Sequence, residues 1–290
     1  MHRYLLAAIV VGCLLPGCSA TSLVYDNLPW LLRQRIDARF DLTSTQSSQL
    51  ETHIAEFAAW HRRQELPHYA AEIARIEIAL TDGLTRAEAE DFIRVFREAR
   101  KRLLARAIIT GAAFLHTVTD EQIAEFEATH REAIAEDRER LELPHDEQAE
   151  LRFKRAINNL EDWFGDFDEA QSARIRDLMA ALPDTYASWL QRREFRHRRF
   201  VTLLRKRPSR TQLEDNLREW WLSDTAALPR EMRTSRELFW DSAVTFMLEV
   251  DAVLSEDQRA HAIRRLTGYR KDFIRLSKAQ PGPARGSSES

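Results

Sequence analysis

Along most of the chain, apolar side chains recur three, four and seven positions apart, the spacing that lays a stripe along one face of an α-helix. Ile73, Ile76, Ile78 and Leu80 make one such stripe, and Phe92, Val95, Phe96 and Leu103 another. Ile123, Phe126 and Ile134 follow, then Phe246, Leu248, Val250 and Val253. No stretch of five or more alternates with period two, so the pattern predicts no sheet.

What separates the stripes is as regular as the stripes. Six times a Ser, Thr or Asp precedes a Gln or Glu by three residues and opens an amphipathic run. The pairs are Thr43/Gln46, Thr85/Glu88, Thr119/Gln122, Asp168/Gln171, Ser209/Gln212 and Ser255/Gln258. This is the capping box, in which the first side chain accepts from the N3 amide and the N3 side chain reaches back to the N-cap amide. Successive boxes lie 42, 34, 49, 41 and 46 residues apart, too uneven for a strict solenoid. Gly83 and Gly165 stand where helix C-termini are expected, and Pro67, Pro144, Pro183, Pro208 and Pro229 should end or kink helices. Helices are predicted over 28–39, 44–66, 68–81, 86–115, 120–142, 146–164, 169–182, 184–206, 210–222, 230–253 and 256–277. The fold class expected is all-α: an elongated bundle of about ten helices arranged as successive helical hairpins, with no sheet. Residues 28–279 would form one helical domain, and 280–290 (QPGPARGSSES) a disordered tail.

Composition narrows the chemistry. Only 8 of 290 residues are Gly, too few for turn-dense β architectures, and neither GxGxxG nor GxxxxGK[ST] occurs to cradle a phosphate. With 43 basic and 46 acidic residues the formal charge is −3, which gives no case for a nucleic-acid partner. The order of the charges matters more than their sum. Asp120 to Glu150 holds twelve acids and three bases, whereas Gln191 to Arg210 holds nine bases and Glu194 alone. Trp189, Phe195 and Phe200 interleave with the basic stretch.

The first residues read as an address. Arg3 and the apolar run Tyr4–Leu15 make a signal peptide over 1–17, too short to span a bilayer. Leu15-Pro16-Gly17-Cys18 resembles the bacterial lipobox, which implies cleavage before Cys18 and acylation of it. Ser19, where an Asp would resemble the inner-membrane retention signal, points to the outer membrane, with the protein facing the periplasm. Residues 18–27 would be the lipidated N-terminus and a short tether. On that resemblance Cys13 would leave with the signal and Cys18 would carry lipid, so the body would have no disulfide, thiolate ligand or Cys nucleophile. Leu23 to Leu32 starts close to the anchor. Its apolar residues Leu23, Val24, Tyr25, Leu28 and Trp30 are read as packing onto the domain, with the headgroup layer as the alternative.

Two resemblances follow. Leu42-Thr43-Ser44-Thr45-Gln46 is similar to the LTxxQ motif of the Spy/CpxP-type periplasmic chaperones, a resemblance that implies a helical body holding unfolded clients. The lipobox, Leu23-Val24-Tyr25-Asp26-Asn27-Leu28-Pro29-Trp30 and Ala59-Trp60-His61-Arg62-Arg63-Gln64-Glu65-Leu66-Pro67-His68-Tyr69-Ala70 resemble a family of uncharacterised proteobacterial outer-membrane lipoproteins. That second resemblance implies an envelope location and no reaction.

Candidate chemistry is sparse. Four Glu-x-x-His pairs occur (Glu65/His68, Glu127/His130, Glu142/His145, Glu194/His197), and helical di-metal carboxylate sites use such pairs. Prolines interrupt the first and third, and a face of His61, Glu65 and Glu72 is also crossed by Pro67. HExxH, GxSxG and SxxK are missing. The expectation is no enzyme, no cofactor and no metal site. Arg192, Arg193, Arg196, Arg199 and Arg205 are the candidate anion- or client-binding residues. The competing reading of that stretch is a solvated face neutralised by the acidic helix. Seven tryptophans are expected in the core. The function expected is a chaperone-like, envelope-maintenance binding role, with the membrane engaged through acyl chains on Cys18. Unfolded envelope proteins, anionic lipid headgroups or an outer-membrane complex are the partners considered. The alternatives are a scaffold subunit of such a complex and a di-metal carboxylate enzyme.

Overall fold

The computed structural model describes Tyr25, residues 27–223 and residues 228–279. The signal peptide, Cys18 and the tail 280–290 lie outside the described residues. Ten α-helices and no strand occur among those described. They are α1 (Leu28–Phe40), α2 (Ser44–Asp82), α3 (Arg86–Leu115), α4 (Asp120–Glu142), α5 (His145–Phe164), α6 (Glu169–Ala181), α7 (Tyr186–Arg205), α8 (Arg210–Leu222), α9 (Arg230–Val253) and α10 (Glu256–Lys278). None is long and apolar enough to cross a membrane.

All six capping boxes form. Thr85, Thr119, Asp168 and Ser209 each accept from the N3 amide while the N3 side chain accepts from the N-cap amide. Thr43 and Ser255 do the same with Gln46 and Gln258. Pro144 and Pro229 take the N-cap position of α5 and α9, where a missing N–H costs nothing. Gly83 (φ +91°) and Gly165 (φ +82°) supply the backbone conformations that other residues avoid. Predicted and observed helix ends agree within two residues with one exception. The helices expected over 44–66 and 68–81 are a single helix, because Pro67 lies inside α2 instead of ending it. Pro67 and Arg63 are both exposed, so the carbonyl that loses its intrahelical donor is on a wet face and water can serve it.

The residues group into two compact units: 25, 27–38, 42–77 and 266–279 in the first, 39–41 and 78–265 in the second. In the first, Tyr25, Leu66, Ala70, Phe273 and Leu276 form an apolar cluster flanked by Tyr69 and Ile73. Arg33 ties α1 to α2 through Glu51 (2.7 Å) and Ser47 (3.3 Å).

In the second unit the hairpins are nested. α5 packs on α6, α4 on α7 and α3 on α8, so the chain runs out through three helices and folds back through the next three. α9 then lies against α3, α6 and α7. Helix starts are joined to each other as well as capped. Gln171 Nε2 donates to Val253 O (2.7 Å) and to Gln258 Oε1 (2.8 Å). Gln258 Nε2 donates to Asp166 O (2.7 Å) and Gln171 Oε1 (3.1 Å). Val253 and Asp166 each stand two residues before an N-cap, so the two boxes grip each other by one rule applied twice. Gln122 Nε2 follows it again, donating to Asp41 O at 2.9 Å, two residues before the N-cap Thr43.

Candidate anion-binding site

The basic helix α7 faces the acidic helix α4, and most of its cations are matched there or nearby. Arg193 pairs with Asp137, which also accepts from the Tyr186 hydroxyl (2.7 Å) and Arg140 (3.3 Å). Arg205 pairs with Glu127, Arg207 with Asp120 (2.6 Å), and Arg198 with Glu194 (3.5 Å). Glu194 is also held by Arg138 at 2.8 Å. Arg199 lies 3.8 Å from Glu219 and over the Trp220 ring at 4.5 Å. Of the five expected binding residues, Arg193, Arg199 and Arg205 are therefore engaged within the fold.

Arg192 and Arg196 are placed differently. They stand one turn apart on the side of α7 that meets α9, and Arg192 donates to Ser235 Oγ at 3.0 Å. Arg192 is only 8% exposed, and its guanidinium is lowered by burial and then by the charge of Arg236. Arg196 is held down to about 10, first by desolvation and then by Arg100, Arg236 and Arg192. The residue is nevertheless solvent-exposed as a whole, so the site is open. Every charge acting on Arg196 is positive. α3, α7 and α9 thus place Arg100, Arg192 and Arg236 within electrostatic reach of Arg196. An anion with several oxygens suits the solvent-open Arg196 guanidinium in this positive surround. Sequence reasoning finds Arg192 and Arg196 but misses Arg100 and Arg236, which lie on helices whose own charge pattern is mixed.

Two of the Glu-x-x-His pairs also meet. His130 on α4 and His197 on α7 stack with ring centroids 3.5 Å apart and planes 13° from parallel. Phe126 packs beside both. Burial, then the charges of His197, Arg193 and Arg39, lower His130 to about 3. Burial lowers His197 to about 4 against the pull of Glu127. Their partner glutamates face Arg205 and Arg138, and no group of three His, Cys, Asp or Glu able to hold a metal occurs among the described residues.

In the first unit His61 and Glu65 are each 2% exposed. His61 Nδ1 bonds to the Tyr25 hydroxyl, and Arg62 lies over the Tyr25 ring at 4.9 Å. Desolvation lowers His61 to about 4 although Glu65 opposes it.

The tryptophans depart from the core reading. Trp30 is 54% exposed and the other six are half-buried. Four of them carry a guanidinium over the ring: Trp163 under Arg265, Trp189 under Arg193, Trp220 under Arg199 and Trp240 under Arg97. A large ring with a polar edge sits more cheaply at a rim under a cation than in a sealed core.

Residues 38–233 match the DUF6279 family, a family of unknown function, and the chain belongs to it. No curated protein and no solved structure matches the chain.

Proposed function

We propose that this DUF6279 chain is a lipid-anchored periplasmic binding protein that holds acidic, unfolded clients in a chaperone-like envelope-maintenance role. The observation that carries the reading is the arginine cluster. Arg193, Arg198, Arg199, Arg205 and Arg207 are matched by acids, whereas Arg196 is acted on only by other arginines at an open place on the surface. Keeping like charges together costs stability unless an anion neutralises them. The lipobox-like Leu15-Pro16-Gly17-Cys18 supports the anchor, and the six capping boxes with the LTxxQ-like Leu42–Gln46 support the chaperone comparison.

The test is suppression of aggregation of a chemically unfolded acidic protein by the purified chain. Arg192→Glu with Arg196→Glu should cut the effect at least tenfold, about 1.4 kcal/mol of binding. Arg198→Glu, at an exposed and already paired position, should leave it intact. Equal activity of all three proteins, or none in the unaltered chain, would overturn the proposal. A single constant partner captured by crosslinking in the envelope would favour a scaffold role instead.

A further inference from the structure

Helix α1 keeps one whole face in solvent. Asn27, Trp30, Leu31, Gln34, Arg35 and Ala38 are all exposed and follow one another at helical spacing. Leu28, Leu32, Arg33, Ile36 and Asp37 lie on the other side and are half-buried. That inner side is fixed: Arg33 is bonded to Glu51 and Ser47, and Asp37 accepts from the Leu42 amide at 3.0 Å. Apolar side chains therefore occupy both faces of one helix, Leu28, Leu32 and Ile36 inward and Trp30 and Leu31 outward. Trp30 is 54% exposed and Leu31 40%. A helix apolar on two sides is covered on two sides when it works.

Three observations identify what covers the outer side. The stripe has no acidic residue, and Arg35 is its one formal charge, so it suits an anionic surface. Trp is the side chain that settles at the level of lipid headgroups, with its ring in the acyl boundary and its N–H in water. Distance is the third. Tyr25 is buried and bonded to His61, which fixes the chain to the body seven residues after Cys18. Seven extended residues reach no more than about 25 Å. If Cys18 carries acyl chains, α1 is the described helix that the tether brings to the bilayer first.

From this we infer that the exposed face of α1 rests on the membrane surface, with Trp30 and Leu31 in the headgroup layer and Arg35 toward anionic headgroups. The inference rests on the lipid anchor at Cys18 and adds a second contact that fixes which side of the first unit faces the bilayer. One acylated attachment point alone leaves a body free to swivel; a seated helix face removes that freedom.

The experiment uses the mature acylated chain reconstituted in vesicles of phosphatidylethanolamine and phosphatidylglycerol brominated on the upper acyl carbons. In the unaltered chain a fraction of the tryptophan emission should be quenched, and Trp30→Phe should lower that quenched fraction. Identical quenching in the two chains, with the acyl groups present by mass spectrometry, overturns the α1 assignment and leaves the anchor standing. A mature N-terminus without acyl groups overturns both. Absence of quenching together with a dimer that Trp30→Ser dissociates in sedimentation assigns the face to a second copy and overturns the membrane.

Discussion

His61 has 2% of its surface in water, and its ring sits against Phe57 and Tyr69 with Nδ1 on the Tyr25 hydroxyl. Its folded pKa of about 4 lies below the value near 6.5 of an unfolded histidine. Between those limits the unfolded chain binds a proton that the folded chain refuses, so stability rises with pH across the window. The contribution is fully present above pH 6.5 and is lost as pH falls toward 4, on the order of 3 kcal/mol in all. Urea unfolding followed from pH 7 to 4 should show this slope, and His61→Gln should reduce it by His61's share while His130 and His197, lowered to about 3 and about 4, keep theirs. A flat profile for the unaltered chain would refute the assignment. Asp137 is the corresponding anion. It is 5% exposed and shared by Arg193, Arg140 and Tyr186, so Asp137→Ala should destabilise by about 3 kcal/mol by stranding Arg193. Neither role is legible in the sequence. Asp137 is one acid among the twelve of Asp120–Glu150, and only its partner 56 residues away distinguishes it.

Helix starts, by contrast, are written almost entirely in local sequence. A capping box joins residues three apart, so the six boxes and nearly every helix end follow from the chain alone. What the pattern cannot carry is the second use of the glutamines, because Gln171 and Gln258 are 87 residues apart. The two kinds of box should separate in thermal unfolding. Gln258→Ala removes a cap and leaves Asp166 O without its donor, a loss of about 3 kcal/mol; Gln212→Ala, at an exposed box, should cost about 1 kcal/mol. Equal losses would mean the cross-pairing contributes nothing. Pro67 marks the opposite failure of local reasoning. Its ring forbids one hydrogen bond, but burial of His61, Glu65, Leu66 and Ala70 on the inner face of the same turns holds α2 helical through it. Restoring the amide with Pro67→Ala should stabilise by about 1 kcal/mol or more.

At the scale of the molecule, a formal charge of −3 conceals a strongly polar arrangement. Asp137 and Glu127 of α4 are matched by Arg193 and Arg205 of α7, and the net figure says nothing of the four arginines gathered where α3, α7 and α9 meet. Filling that cluster should stabilise the fold by mass action. An anion at ten times its dissociation constant adds about 1.4 kcal/mol. Pyrophosphate should therefore raise the melting temperature more than chloride at equal ionic strength, and Arg196→Gln should remove the difference. The apolar periodicity made the all-α class plain, while the site depends on which helices become neighbours. Nesting sets that: α3 meets α9 across more than a hundred residues of intervening chain, a relation no window of sequence contains. Because Gln171 and Gln258 each serve two helices, a chain of this kind can gain or lose whole turns within α5 or α6 and keep the junction intact. A single residue inserted between Asp166 and Asp168, or between Val253 and Ser255, would break both partners at once. Insertions should therefore be borne better in the helix bodies than in these two loops, which, though loops are usually the freest part of a fold, are its fixed points.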